Sequence, residues 1–246
     1  MRKLLRGFSP AKFPFFYGWF IIFVGTVGML MSAPGQTVGV SVFTDPLIDA
    51  LKVSRVNLSL AYMIGTISSA LILTYAGRLY DKHGARIIAP VAAFFLGVVL
   101  VYMTRLDGIV NAISNWIPGV GYEHLVFGFV VLGFFGMRFF GQGVLTMVSR
   151  NMVMKWFDRK RGLASALLGL VVVFGFSSAP KIFKSLIESF GWREAWMIIA
   201  MIVSIGFVIF AIIFYRDNPQ KYGLIPDGKV LKPRRKNAPV YQPKHD

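Results

Sequence analysis

The chain has 246 residues, of which 55% are hydrophobic, and its mean hydropathy is +0.61. A soluble domain carries about 45–50% apolar residues, so this excess favours a membrane protein. The absence of cysteine excludes disulfides, thiolate metal sites and cysteine nucleophiles. The formal net charge is +16, which in a soluble chain would suggest nucleic acid. Here the basic residues stand between apolar runs and at the chain ends, so nucleic-acid binding is not predicted.

Six apolar windows are long enough, or nearly so, to cross a bilayer as helices. They cover residues 17–43, 56–77, 87–104, 125–149, 162–180 and 195–215. The first window is uncharged and longer than the apolar core of a cleavable signal peptide, which predicts a retained span. Pro34 beside Gly35 predicts a loosened backbone in its outer half. The chain therefore divides into an N-terminal segment 1–16, an all-α transmembrane bundle 17–215 and a basic tail 216–246.

Lysine and arginine are distributed unevenly over the connecting segments. The N-terminal segment, the turns at 77–86 and 150–161, and the tail together hold 20 of them, and the alternate connectors hold 6. The positive-inside rule counts only these two residue types. Both termini are therefore predicted to be cytoplasmic, and we expect an integral protein of a bacterial inner membrane.

The turn between the second and third windows reads GRLYDKHGAR, residues 77–86. It matches the signature G-x-L-x-D-x-x-G-x-[RK], and in this the chain resembles the major facilitator superfamily. The resemblance implies the N-terminal six-helix half of a twelve-helix fold, built as a 3+3 inverted repeat. In that family the turn latches the cytoplasmic side to the other half. A gating role is thereby implied for Gly77, Arg78, Asp81, Gly84 and Arg86.

Physical reasons can also be given for three residues of this turn. Gly77 would let the end of the second span approach a neighbour closely, and Gly84 would permit a tight reversal. Asp81 is expected to be buried or interfacial, where it would pair with a nearby arginine or a helix N-terminus.

The fourth window contains a charge near its middle, in GFFGMRFFGQGVLTMVSR. A charge at that depth costs at least about 2.5 kcal/mol, so Arg138 should face a partner or an aqueous cavity. Arg138, Gly141 and Gly143 resemble the superfamily pattern R-x-x-x-G-x-G, with the glycines one position early. No acid lies inside any window, so an anionic ligand would restore the lost solvation of Arg138. The competing account is an acid contributed by a second half.

The predicted function is secondary active transport of a small organic anion, such as a monocarboxylate, by alternating access. The segments FGWREAW and NPQKYGLIPDG resemble the monocarboxylate and oxalate–formate antiporter branches of the superfamily. The first-span lysine of animal monocarboxylate carriers is absent, so a proton–lactate mechanism does not transfer. The candidate substrate-binding residues are the polar groups Arg138, Gln142, Gln36, Tyr62 and Thr66.

Other functions find less support in the residues. His83, His124 and His245 stand in connectors or in the tail, so neither an enzyme, a metal site nor a cofactor is predicted. A channel or a six-helix scaffold without carrier activity remains the alternative. The expected partners are the lipid bilayer, a small-molecule substrate, and a C-terminal six-helix half or a second copy of this chain. Without that second half the chain is expected to be inactive, and its tail, which resembles the loop joining two halves, is expected to be disordered.

The predicted orientation can be tested by cysteine labelling, because the chain has no cysteine of its own. We expect Lys82→Cys to resist a membrane-impermeant maleimide in intact cells and to react after the cells are lysed. Glu188→Cys, in an alternate connector, should react in both conditions. Labelling of Lys82→Cys from outside intact cells would overturn the orientation.

Overall fold

A computed structural model describes Pro10 and residues 13–114 and 121–228 of the chain. Most of segment 1–16 and residues 229–246 of the predicted tail lie outside this range. The helices in chain order are α1 Tyr17–Leu30, α2 Thr37–Val42, α3 Thr44–Leu51, α4 Arg55–His83, α5 Ala85–Thr104, α6 Leu106–Ser114, α7 Tyr122–Trp156, α8 Arg161–Phe190 and α9 Trp192–Phe214. Short 3-10 turns follow at Pro219–Tyr222 and Pro226–Gly228.

Five helices of the described chain are long and apolar enough to cross a membrane, namely α4, α5, α7, α8 and α9. Each contains or closely overlaps one of the apolar windows from the second to the sixth. The helices extend beyond the windows at most ends because backbone hydrogen bonding continues into the polar residues that flank an apolar run. At the start of α4, for example, the Ser54 side chain accepts a hydrogen bond from the Asn57 amide at 3.1 Å and caps the helix.

The first apolar window is not one continuous helix. Helix α1 ends at Leu30, a 3-10 turn spans Ala33–Gly35, and α2 begins at Thr37. Pro34 has no amide hydrogen and cannot continue the helical ladder, which explains the break. The loosened backbone expected at Pro34 and Gly35 is therefore observed, and the apolar helix that remains before it has 14 residues.

Helix α7 is the central element of the bundle, since it packs against α1, α4 and α5. Helix α8 packs against α1, and α9 packs against α5. Both α7 and α9 contain a π-helical segment, at Met137–Leu145 and Ile202–Phe207. The outer helices α4 and α8 are the least enclosed, with 22% of their apolar windows buried against 50% for α5.

Two glycines join consecutive spans in the same way. Gly84 lies between α4 and α5 with φ +80° and ψ 168°, and Gly191 lies between α8 and α9 with φ +87° and ψ 162°. Each glycine amide donates to the carbonyl four residues earlier, that of Tyr80 at 2.7 Å and that of Ile187 at 2.8 Å. This region of φ and ψ is accessible essentially to glycine alone. The tight reversal expected at Gly84 is thus present, and it recurs at Gly191.

The segment after α9 contacts the bundle as far as residue 228. The expectation of disorder for the rest of the tail falls on residues 229–246, outside the described range. Asp227 has φ +63°, and its carboxylate accepts hydrogen bonds from the amides of Asp158, Arg159 and Lys160 at 2.8–3.3 Å. These amides lie immediately before α8. The N–H groups at the start of a helix have no acceptor within the helix, so an outside acceptor such as this carboxylate satisfies them. The acid therefore fastens the start of the tail to the connector between α7 and α8.

We expect Gly191→Ala to lower the free energy of unfolding by about 1–3 kcal/mol, because alanine is strained at this positive φ. Gly169→Ala is the matched control, since a Cβ there meets nothing within 4 Å and the position lies inside α8. Alanine at a helix interior gains roughly 0.5–1 kcal/mol over glycine, so the control should be neutral or stabilised. Unfolding in mixed micelles by titration with a denaturing detergent measures both. Equal stability of the two variants would contradict the assigned strain.

Candidate functional site

Arg138 is a buried cation in the middle of α7. It lies in the π-helical segment of this 35-residue helix, and the residue is 6% exposed. Its Nη1 donates hydrogen bonds to the Gly35 carbonyl and to Thr37 Oγ1, both at 3.3 Å. Its Nε has no hydrogen-bond partner, and none of the ion pairs found among the described residues includes it. The positive charge therefore remains uncompensated within this part of the chain.

The break in the first span supplies the acceptor for this guanidinium. Helix α1 and the 3-10 turn end before Thr37, so the Gly35 carbonyl is left outside a regular helical ladder. A Cβ on Gly35 would lie 2.3 Å from the Met137 carbonyl oxygen, and one on Gly141 would lie 2.9 Å from the Gly35 Cα. The two glycines thus allow backbone contact between the break and α7. That contact brings the Gly35 carbonyl within reach of Arg138.

Tyr62 of α4 completes the surroundings of Arg138. Its ring centroid lies 5.2 Å from the guanidinium carbon, and its hydroxyl is 2.9 Å from Thr37 Oγ1. A cation over an aromatic face is stabilised by the ring quadrupole. Thr37 and Tyr62 also line a cavity of about 150 Å³ between α2, α4 and α7, together with Val40, Ser41, Thr44, Leu58, Ser59 and Phe134.

Of the five predicted substrate-binding residues, Tyr62 alone lines this cavity, and Arg138 contacts two of its lining residues. Gln36 belongs to a separate buried network, in which its Nε2 donates to Ser32 Oγ at 3.0 Å and to Thr146 Oγ1 at 3.2 Å. Gln142, about one helical turn after Arg138 on α7, is exposed and does not line the cavity. The Thr66 hydroxyl is buried without a hydrogen-bond partner in the described structure. Thr37, the neighbour of Gln36 in the chain and a polar candidate of the first span, contacts Arg138 directly.

The predicted gating turn has an arrangement different from the one expected. Asp81 is exposed and takes part in none of the ion pairs or side-chain hydrogen bonds of the described residues. A Cβ on Gly77 would meet nothing within 4 Å, so no close neighbour among the described residues requires that glycine. Arg78 is exposed beside the Tyr75 ring, and the Arg86 Nε donates to the Ile212 carbonyl at 3.1 Å.

A different acid occupies the position beside this turn. Asp217, which follows α9, accepts a hydrogen bond from the Tyr80 hydroxyl at 2.9 Å and forms an ion pair with Lys155 at 3.1 Å. Next to it Arg216 is 3% exposed, and burial, with a smaller effect of the nearby Arg86, lowers the pKa of Arg216. Sequence reasoning missed Asp217 because its partners are distant in the chain. The one available signal was an acid directly after the last apolar window, among basic residues.

Long apolar helices packed around a buried cation are typical of an integral membrane protein. The chain belongs to the Major Facilitator Superfamily, whose family model matches residues 21–242. The resemblance carried by residues 77–86 is thereby confirmed. Membership of this family supports a part in membrane transport.

The chain is also similar to a curated protein, the probable sulfoacetate transporter SauU of Cupriavidus necator. The two are 23% identical over 181 residues, which cover 70% of this chain and 40% of that transporter. The chain thus spans less than half the length of the relative it matches. No solved structure matches the chain.

Proposed function

We propose that this chain forms one half of a secondary active transporter for a small organic anion, with Arg138 as the residue that binds the anion. The observation that carries this proposal is the uncompensated guanidinium at the middle of a membrane-spanning helix. It contacts Thr37 and Tyr62, two of the residues that line a small and mostly apolar cavity. A charge at bilayer depth is costly unless it is paired. A carboxylate or sulfonate would satisfy the guanidinium with charge-assisted hydrogen bonds.

The polar groups around the cavity favour a ligand that accepts hydrogen bonds. Thr37 Oγ1 accepts from Arg138 and lies 2.9 Å from the Tyr62 hydroxyl, so one hydroxyl hydrogen of the pair remains available. The hydroxyl of Ser59 lines the same cavity. Carboxylates and sulfonates offer only acceptors at neutral pH, which suits these donors.

The similarity to a probable sulfoacetate transporter supports the same class of substrate. Sulfoacetate is a small organic anion that carries a carboxylate and a sulfonate, and both groups are suitable ligands for a guanidinium. The substrate we propose is therefore a small carboxylate or sulfonate, with monocarboxylates and sulfoacetate as the first compounds to test.

We further propose the 3+3 inverted repeat, with α1, α4 and α5 as one unit and α7, α8 and α9 as the other. The repeat pairs α1 with α7, α4 with α8 and α5 with α9. The contact between α4 and α7 in this scheme corresponds to the contact between α8 and α1, and both are present. The contact between α5 and α9 corresponds to itself. The matching glycine junctions at Gly84 and Gly191 support the same repeat. With both termini cytoplasmic, the turn at 77–86 faces the cytoplasm of a bacterial cell.

A second six-helix unit is the partner that we propose for this bundle. The helices α4 and α8 are the least enclosed, and each has an exposed or half-exposed stripe of small residues near its predicted cytoplasmic end. The stripes comprise Ala70, Thr74 and Gly77 with Asp81 on α4, and Gly162, Ala166 and Gly169 on α8. Small residues let membrane helices approach closely. The gating role implied for Gly77, Arg78 and Asp81 therefore belongs to contacts with that second unit.

The anion-binding role of Arg138 can be tested on the purified chain in lipid nanodiscs. We expect millimolar acetate, lactate or sulfoacetate to raise the melting temperature, because a ligand that binds only the folded state stabilises it. The neutral acetamide should not. Arg138→Gln should abolish the shift, and Arg138→Lys should retain part of it because the charge remains.

Arg105→Gln is the matched control, since this arginine is exposed at the end of α5 and takes no part in the cavity. It should keep the full anion-dependent shift. An undiminished shift in Arg138→Gln, or no shift with any anion in the wild-type chain, would exclude the proposed site.

A second prediction follows from the proposed second unit. We expect proteoliposomes that contain this chain alone to show no saturable uptake and no counterflow of the anions that stabilise it. The physical reason is that one bundle leaves the Arg138 cavity open on the side that the second unit would cover. Robust counterflow by the purified monomer would show that six helices suffice.

A further inference from the structure

Three consecutive residues after α9, here called the C-terminal strap (Tyr215, Arg216 and Asp217), contact the cytoplasmic end of α7. The Tyr215 hydroxyl lies 2.8 Å from Ser149 Oγ, and Trp156 Nε1 donates to the Arg216 carbonyl at 2.7 Å. Lys155 Nζ lies 3.1 Å from the carboxylate of Asp217. Each residue of the strap thus has its own partner on one helix.

The carboxylate of Asp217 also reaches the two helices on either side of the 77–86 turn. Its Oδ1 accepts from the Tyr80 hydroxyl at the end of α4, at 2.9 Å, and from the Ala85 amide at the start of α5, at 3.3 Å. The side chain is 13% exposed, so these bonds are largely shielded from water. One acid therefore joins α4, α5 and α7 to the segment that follows α9.

Lys155 and Gly84 are the other residues in contact with the Asp217 carboxylate. Lys155 Nζ lies 4.4 Å from the centroid of the Tyr80 ring, so the ammonium contacts both the ring and the carboxylate. A Cβ on Gly84 would lie 3.2 Å from Asp217 Oδ2, closer than most side chains approach an oxygen. Gly84 thus serves two requirements, the positive φ of the junction and the room for this carboxylate.

We propose that the C-terminal strap is a fastening device, in which Asp217 holds the cytoplasmic ends of α4, α5 and α7 to the end of α9 so that they move as one body. Asp217, and not Asp81 of the recognised motif, is the acid that joins these helix ends within the chain. Asp81 lies exposed on the stripe of α4 and stays available for a contact outside the chain. The inference concerns the chain itself and does not depend on which solute is carried.

The test measures a distance across the fastened end. Cysteines at His83, the last residue of α4, and at Arg159, after α7, accept spin labels in a chain that is otherwise free of cysteine. Pulsed electron paramagnetic resonance on the full chain in nanodiscs then gives the distribution of distances between them. We expect Asp217→Asn to widen this distribution and shift its mean, because the variant keeps the shape of the side chain but loses the charge that binds Lys155.

Lys155→Met removes the same ion pair from the other partner and should widen the distribution in the same way. The double variant should show a distance distribution no wider than that of Asp217→Asn, because both substitutions remove the same ion pair and their effects should not add. Asp81→Asn, an equal change at an exposed acid of the same turn, should leave the distribution as in the parent.

Three results would overturn the proposal. The first is an unchanged distribution in both Asp217→Asn and the double variant. The second is a widening by Asp81→Asn as large as that by Asp217→Asn. The third is an additive effect of the two partners, which would mean that Asp217 and Lys155 act on separate contacts.

Discussion

The constraint on which the structure depends is a guanidinium held at the depth of the hydrocarbon core. Water cannot solvate Arg138 there, so the protein must supply its partners. The first span supplies them by breaking at Pro34, which leaves the Gly35 carbonyl outside a regular ladder, and by presenting the hydroxyl of Thr37. The break, the contact of Gly35 with Gly141 and the π-helical segment of α7 are therefore parts of one solution. Among the described residues that solution remains incomplete, because Arg138 has no acid beside it and its Nε has no acceptor. This unpaired charge is the feature that favours an anionic ligand.

The middle of the bundle and the end that is predicted to be cytoplasmic solve opposite electrostatic problems. Around Arg138 a single cation lacks an acid, whereas the end predicted to be cytoplasmic has many cations and a few well-placed acids. Asp217 and Asp227, both in the segment after α9, bind Lys155 and the amides that precede α8. Charges near a membrane surface are partly solvated, so these pairs serve more to fix connections than to add large stability. Fixed connections at the ends of the helices suit the proposed carrier, in which this bundle would move as one body.

The organisation of the bundle could be predicted because apolar length and charge distribution are local properties of the sequence. Five apolar windows lie on long helices, and the break in the first span was foreseen from Pro34 beside Gly35. Arg138 was also foreseen as a charge inside a span that needs a partner, since a lone charge in an apolar run is visible without a fold. The binding partners were foreseen less well. Tyr62 meets Arg138, but Gln36 bonds to Ser32 and Thr146, while Gln142 faces outward.

The sequence by itself determined that this chain enters a membrane, which segments are apolar enough to cross it, and that one of them carries a buried cation. These features follow from the cost of exposing polar groups to hydrocarbon, which acts on each segment separately. Only the tertiary structure decided which acid binds the 77–86 turn, because Tyr80 and Asp217 are 137 residues apart and meet through the packing of α4, α5, α7 and α9. The motif pointed to Asp81, yet helix geometry turns that side chain outward. A pairing between distant residues depends on where helices cross, and no local pattern contains that information.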